Sequence, residues 1–478
     1  MKRIVLLIIT TFITNSLYAQ DLEQLEKEIT ATKAGSIPIS QNQSKLISLQ
    51  EAIEEGLRKN YGENVRKFQF QINEINYKNA YQSFYFPTLQ LQMATTSDHF
   101  AENFYRDPVT NASSGKTPTG FIGLGFQDYT LFNWGKDYLD YLNSKETYRR
   151  QKEVFKEEKR ELRLSIIAEY FNLARLKKIV AISKKQLSHT SFIYRLAKEK
   201  LSLGKISSQE FLQVKALFLD SHKNYHESNV AYYRVQESLA NLLGDSPGTV
   251  YNPTDVLKFN AIAIDINDTR KMALANNPDI LDARSSVQSS RRTYERTLKD
   301  NLPLPKFSLK LGSYQRLFSN SGYEDTYQTA TGSKNIELAA TVNMTWTIYG
   351  SGGLFNSQVT ESSYYQKRIA ELTLRESHRE VRVANHLTYS RANFLERQFT
   401  AVQAQVKNAR RVFDKAIDNY IASKTRFINI DNVLDELKNS SVAFENTKYE
   451  HLLEKLTLAK LMGKDDFPGE KFDNLVER

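Results

Sequence analysis

The sequence predicts a mainly α protein with a smaller β part, built from one helix–strand–strand–long helix–helix unit written twice. Three observations predict it. The two halves align at a nearly constant offset of roughly 217 residues. A proline in each half is followed by residues that alternate apolar and polar with period two. Each half also holds a helical pattern of roughly 68 residues, far longer than an ordinary globular helix.

Four anchors define the duplication. Leu57-Arg58-Lys59-Asn60 matches Leu274-Ala275-Asn276-Asn277, and Pro87 matches Pro305. Thr130-Leu131-Phe132-Asn133-Trp134-Gly135 matches Thr347-Ile348-Tyr349-Gly350-Ser351-Gly352, and Leu242-Leu243-Gly244 matches Leu461-Met462-Gly463. The chain thus divides into a first repeat over 46–245, a linker over 246–264 carrying Pro247, Gly248 and Pro253, a second repeat over 265–464, and a tail over 465–478.

Ahead of the repeats, Lys2 and Arg3, an apolar run from Ile4 to Ile13 and the small residue Ala19 read as a signal peptide over 1–19. An extension over 20–45 follows it. The apolar run is about half the ~20 residues of a spanning helix, and no later segment resembles one. Barrel strands escape such a reading, because about ten alternating residues give a weak hydropathy signal.

Each element follows from local chemistry. Ser48-Leu49-Gln50-Glu51 is a capping box, and Leu49, Ala52, Ile53, Gly56 and Leu57 form one apolar stripe on a helix running to about Phe84. Strands are expected at about 86–98, where Leu89, Leu91 and Met93 alternate with polar residues, and at 119–132, where Gly123, Gly125 and Asp128 blur the pattern. The long helix runs from Gly135 to Leu203, about 100 Å at 1.5 Å per residue. After the turn at Gly204, a capping box at Ser207-Ser208-Gln209-Glu210 starts a return helix ending near Gly244.

The second repeat opens with Asp265 or Asp268 as cap and restarts at Pro278, because Asn277 before a proline disfavours helical dihedrals. Its strands fall at about 304–318 and 334–349, where Ile336, Leu338, Ala340, Val342, Met344, Trp346 and Ile348 alternate with polar neighbours. Its helices run from about Leu354 to Ala422 and from about Asn429 to Gly463. The segments 98–119 and 318–334 are polar loops.

Strands that alternate this cleanly suit a barrel wall or half of a water-soluble sandwich equally well. Four strands cannot close a barrel, whereas three chains would supply twelve. A strand hairpin at one end and a helical turn about 100 Å away leave apolar stripes that only further copies can cover.

Composition narrows the chemistry. The chain has no cysteine, which removes disulfides, thiolate metal sites and the acylated cysteine of a lipoprotein. Its +10 net charge falls by two on loss of Lys2 and Arg3. Lys and Arg mix with Glu along runs such as Lys152 to Glu161, the pattern of a solvated helix face and not of a nucleic-acid surface. Ser114-Gly115-Lys116-Thr117 resembles the end of a phosphate loop, but Thr110 replaces the first glycine and no helix follows. Gly350-Ser351-Gly352-Gly353 lacks dinucleotide-loop spacing. His222 and His226 stand at i, i+4 without a third ligand, so no metal, cofactor or enzymatic site is expected.

In their order, duplication and distances, these anchors resemble the TolC family of outer-membrane efflux proteins over roughly residues 46–464. The resemblance implies a homotrimer, with a twelve-stranded β-barrel in outer-membrane lipid continued by a twelve-helix α-barrel through the periplasm. It implies passive conduction from an inner-membrane RND or ABC pump, through a periplasmic adaptor (membrane fusion) protein, in tripartite efflux or type I secretion. Adaptor docking would then fall on the tips at Gly204, Lys205, Ser423 and Lys424.

The resemblance also places a periplasmic constriction early in the last helix. Asp435 matches one constricting acid, whereas the other falls on Asn432 with Asp431 adjacent. Glu210, Tyr420 and Arg426 match tip-locking residues. A ring of Asp431 and Asp435 carboxylates near an axis would select cations. The competing reading is an exported, soluble coiled-coil adaptor or structural protein, which accounts for the helices but not for the duplicated strand pairs.

Overall fold

The computed structural model describes residues 44–95, 120–302, 304–318, 337–346, 357–422, 424–472 and 476–477. The signal peptide, nearly all of the extension to residue 45, most of both polar loops, Ser114 to Thr117, Gly350 to Gly353 and Ser423 lie outside them.

The first repeat comprises α1 (Leu49–Lys59), α2 (Tyr61–Tyr85), β2 (Leu89–Thr95), β3 (Gly120–Phe132), α3 (Lys136–Ser202) and α4 (Ser208–Leu243). The second comprises α5 (Ile266–Asn276), α6 (Pro278–Asp300), β6 (Lys306–Phe318), β7 (Glu337–Thr345), α7 (Ser357–Ile421) and α8 (Phe427–Leu461). Short strands β1 (Lys45–Ile47), β4 (Tyr251–Pro253), β5 (Val256–Leu257) and β8 (Val476–Glu477) belong to the segments around the repeats.

The opening helix is two helices, where one was expected. Asn60 adopts φ −56° and ψ 125°, outside the helical region, and its side chain accepts from Glu63 N while donating to Leu242 O at 2.9 Å. Asn277 does the same, accepting from Asp279 N and Ile280 N and donating to Leu461 O at 3.2 Å. Each break is thus a cap and a tie at once. The proline signals only the second, so sequence reading missed the first. Asp265, not Asp268, caps α5.

The ties bring each elbow onto the end of its return helix. Gly244 and Gly463 end α4 and α8 with φ of +73° and +62°, and each faces the backbone carbonyl of Lys59 or Asn276. Around these elbows lies the main core. Ile166, Ile167, Tyr170 and Phe171 of α3 meet Leu49 and Ala52, Leu239 and Leu243, Ala273 and Ile280, and Leu452 and Leu456.

The linker and tail are built into this core. β1 pairs parallel with β4, and β5 pairs antiparallel with β8. Tyr251, Phe467 and Phe472 are buried there. Lys455 of α8, buried, donates to Asn260 O at 3.1 Å and pairs with Glu470, clasping linker and tail to one helix.

Beyond the core, helices form a single layer. Toward the strands its order is α2-α3-α6-α7, and toward the tips α4-α3-α8-α7. Phe70, Tyr77 and Phe84 of α2 recur every seven residues and stack one to one on Phe155, Tyr148 and Tyr141 of α3, with centroids 5.2, 4.8 and 5.1 Å apart. Such pairs add about 0.5–1.5 kcal/mol each beyond their buried area.

The four longer strands make one antiparallel sheet in the order β2-β3-β6-β7. The two repeats meet at β3 and β6, whose pairing slips at Phe126/Tyr129 and Thr130/Phe132 near the helical end. That leaves β2 and β7 as open edges among the described residues. Trp134 turns the chain out of β3 with φ 55°, and its indole donates to Pro305 O at 3.1 Å, which ties the two strand–helix junctions together.

Candidate functional site at the helical tips

α3 and α4 are joined by a self-sufficient tip. Lys205 N donates to Lys200 O at 2.8 Å and Gly204 takes φ +65°, the glycine-closed end common in helices. Ser207 Oγ then accepts from Glu210 N at 3.1 Å and caps α4.

The second tip closes in the same way at its first end, with Lys424 N donating to Asn419 O at 2.8 Å. Its other end has no side-chain cap of its own among the described residues. Arg426 stands at the N-cap of α8 and offers no acceptor. Glu210 fills the place from the neighbouring hairpin, its Oε1 accepting from Phe427 N at 3.3 Å.

Lys200 acts on the opposite end. Its Nζ donates to Tyr420 O at 2.6 Å and lies 4.2 Å from the centre of the Tyr420 ring. A cation thereby meets the negative end of α7 and a carboxylate the positive end of α8, the favourable signs for both helix dipoles. Burial holds Lys200 below the usual lysine range, against the opposing pull of Glu210.

Tyr420 is 1 % exposed, among Ile193, Tyr194, Phe413, Phe427 and Ile430. Its hydroxyl has no partner among the described residues, and burial, then the Glu210 charge, push it up to about 12. Glu210 and Tyr420 therefore share one cluster. Arg426 is exposed and reaches no carboxylate among the described residues. Gly204, Lys205 and Lys424 are exposed at the tip ends. Lys200 was not foreseen. A basic residue in the last turn of a helix is its one sequence signal, and only folding reveals its partner.

One turn into α8, Asp431 is half-buried while Asn432 and Asp435 are exposed. Burial raises the Asp431 carboxyl above the ordinary value, and the nearby charges of Asp435 and of Asp220 on α4 add to it. Asp220 is a third acid that sequence spacing could not bring to this place. His222 and His226 lie side by side on α4, ring centres 4.5 Å apart. Among the described residues no cluster of three or more His, Asp or Glu could hold a metal. None of their helices is long and apolar enough to cross a membrane.

Residues 269–464 match a protein-family model described as outer membrane efflux protein. No curated protein sequence matches the chain. Among solved structures, the chain is similar to the outer membrane protein VceC of Vibrio cholerae, with TM-score 0.72 and 16% identity over 87% of this chain and 96% of that one. It is also similar to the CmeC outer membrane channel of Campylobacter jejuni, with TM-score 0.70 and 16% identity over 90% of each chain. The MtrE outer membrane channel of Neisseria gonorrhoeae, in its open state, gives TM-score 0.65 and 13% identity over 87% of this chain and 89% of that one.

Proposed function

From a second repeat that matches the outer membrane efflux protein family and a TolC-like channel fold throughout, we propose that three copies of this chain close into a tube. The tube crosses the outer membrane and extends into the periplasm, and it conducts cargo without chemistry.

The observation that carries this reading is a pair of uncovered edges on opposite sides of the protomer. On α2, Tyr61, Val65, Phe68, Ile72 and Ile75 recur at spacings of four and three, each more than half exposed. On α7, Tyr365, Ile369 and Leu372 do likewise, and Val383, Leu387 and Phe394 continue the face. These are coiled-coil seams without partners. They fall on different surfaces of one chain, so pairing them joins copies head to tail and closes a ring. The open edges of β2 and β7 stand on the same two sides.

The sheet supports a lipid setting. Leu91, Val342 and Met344 are 67, 64 and 67 % exposed, with nothing packed over them among the described residues. A soluble adaptor or sandwich would cover such a face, so that reading is the weaker one. Export by the signal over residues 1–19 belongs to the same proposal. The tips around Gly204, Lys205, Ser423 and Lys424 then meet a periplasmic adaptor fed by an inner-membrane RND or ABC pump, in tripartite efflux or type I secretion. Asp431, Asn432 and Asp435, joined by Asp220, line the constriction. Glu210 and Tyr420 help hold the tips shut.

The test uses the absence of native thiols. Ile75 and Ile369 stand at similar heights, about 15–18 Å along their helices from the strand ends. With Ile75→Cys and Ile369→Cys in one chain, oxidation should give a covalent ladder ending at trimer, and neither single variant should. A ladder that stops at dimer, or equal cross-linking by a single variant, refutes the head-to-tail ring.

A further inference from the structure

Well above the tips, a cavity of about 200 Å³ opens between α3, α7 and α8. Lys185, Gln186 and His189 line it from α3, Arg410 from α7, and Lys438 and Ser441 from α8. Gln186 lies sixteen residues before the end of α3, about 24 Å along the helix. The site therefore stands well back from the tip ends, although Leu434, at the upper end of the apolar tip cluster, forms part of its wall.

Three cations from three helices converge here, and none of Lys185, Arg410 and Lys438 has an ion pair among the described residues. Arg410 also borders an adjoining cleft lined by Lys407 and Arg411, which adds positive charge. Two carboxylates stand nearby. Asp414 lines that second cleft, and Asp435 lies one turn from Lys438 on α8 without bonding it. The balance stays positive, so the unfilled arrangement is one of mutual repulsion.

The floor of the cavity carries a second, independent signal. Gln186 is 5 % exposed, and its Oε1 is buried with no hydrogen-bond partner among the described residues. A buried acceptor without a donor is costly, which points to a missing group that donates. The cations require negative charge, whereas Gln186 Oε1 requires a hydrogen. Chloride meets only the first need, and so does fully ionised sulfate.

We propose that this cavity binds a protonated tetrahedral oxyanion, hydrogen phosphate. Its anionic oxygens accept from Lys185, Arg410 and Lys438, and its P–OH donates to Gln186 Oε1. Charge-assisted bonds of this kind are about twice as strong as neutral ones. His189 stands beside the site with its ring 4.7 Å from that of Phe413. Burial and Lys185 hold its imidazole below the usual histidine range, against a smaller opposing pull from Asp414, so a bound dianion should raise it. The bound ion joins α3 of the first repeat to α7 and α8 of the second, independently of what the duct conducts.

The test is calorimetry on the purified full-length protein in detergent at pH 7.5 and constant ionic strength, with inorganic phosphate as ligand. The expected result is saturable binding of one phosphate per chain, with sulfate at least fivefold weaker. Lys185→Met and Arg410→Met should each weaken phosphate at least tenfold, while Lys152→Met on the remote part of α3 leaves it unchanged. Gln186→Leu should erase the preference for phosphate over sulfate. Circular dichroism confirms that each variant is folded. Glycerol 3-phosphate, a dianion without P–OH at this pH, should bind no tighter than sulfate, and binding as tight as that of phosphate overturns the role given to Gln186. Absence of saturable phosphate binding overturns the site, as does phosphate affinity indifferent to Lys185→Met and Arg410→Met. Equal affinity for sulfate and phosphate overturns the role given to Gln186.

Discussion

Replacing Gly463 with alanine tests whether the elbows on the return helices are as tight as they look. Two glycines with nearly equal dihedrals make the comparison clean. Gly463 has φ +62° and Gly204 has φ +65°, so alanine meets about the same left-handed strain at both, on the order of 1 kcal/mol. The gain from a stiffer unfolded chain is also common to both. Their surroundings differ. A Cβ on Gly204 meets nothing within 4 Å, whereas one on Gly463 lies 2.5 Å from Asn276 O, a backbone atom that cannot swing aside. Opening that contact displaces the α5–α6 elbow and strains the 3.2 Å bond from Asn277 to Leu461 O. Overpacking costs roughly 1–3 kcal/mol, and a weakened buried hydrogen bond lies within that range. Gly463→Ala should therefore destabilise by about 2 kcal/mol more than Gly204→Ala, roughly thirtyfold in the folded-to-unfolded ratio. Urea unfolding followed by circular dichroism reads the difference. Equal losses, within about 0.5 kcal/mol, would mean that the elbow yields freely and that the close approach is no constraint.

Three further outcomes follow from the structure. Asp431 titrates above its ordinary value of 3.8, so the folded state holds its proton more tightly than the unfolded chain, and stability falls as pH rises through the raised value. Asp431→Asn removes that loss, so its stability relative to the parent protein should grow from about pH 4 toward neutrality and plateau above the raised value; a constant difference across that range rejects the assignment. The double variant Asp431→Ala, Asp435→Ala should lose cation selectivity in planar bilayers, and unchanged selectivity removes these acids from the constriction. Lys200→Met leaves Tyr420 O without its donor, a loss of about 1–2 kcal/mol. Amides from Phe413 to Ile421 should then exchange faster with deuterium, and unchanged protection would show that the lysine only fills space.

Much of the architecture was legible because it rests on periodicity and duplication. The 217-residue offset, the alternation in Leu89 to Met93 and in Leu338 to Met344, and the run from Gly135 to Leu203 each reflect a local repeat that one chain can display. The features missed depend on contacts between distant segments. Asn60 breaks its helix by bonding to Leu242 O, 182 residues away, with no proline to announce it. The linker and tail read as connections because their apolar residues, Tyr251, Phe467 and Phe472, are isolated in sequence and meet only in the folded core. At the tips, Glu210 and Tyr420 were singled out only through a resemblance. Lys200 and Asp220 needed the helices in place, because a single charge on an amphipathic helix reads as solvated surface.

The two tips, though copies of one design, have come to depend on each other in one direction only. The first is closed by its own residues, through Gly204 at one end and Ser207 at the other. The second keeps the turn but has Arg426 where its sister has Ser207, and a guanidinium cannot accept from a helix N-terminus. The missing acceptor is supplied by Glu210, whose own amide donates to Ser207 Oγ, the cap of the first tip. One carboxylate thus sits where the two hairpins meet, while Lys200 holds the far side of the same turn. Any movement that separates α4 from α8 removes the cap from α8 and leaves the first tip intact. If the tips open as proposed above, opening should therefore begin with the second hairpin, whose cap is borrowed, and not with the first, whose cap is its own.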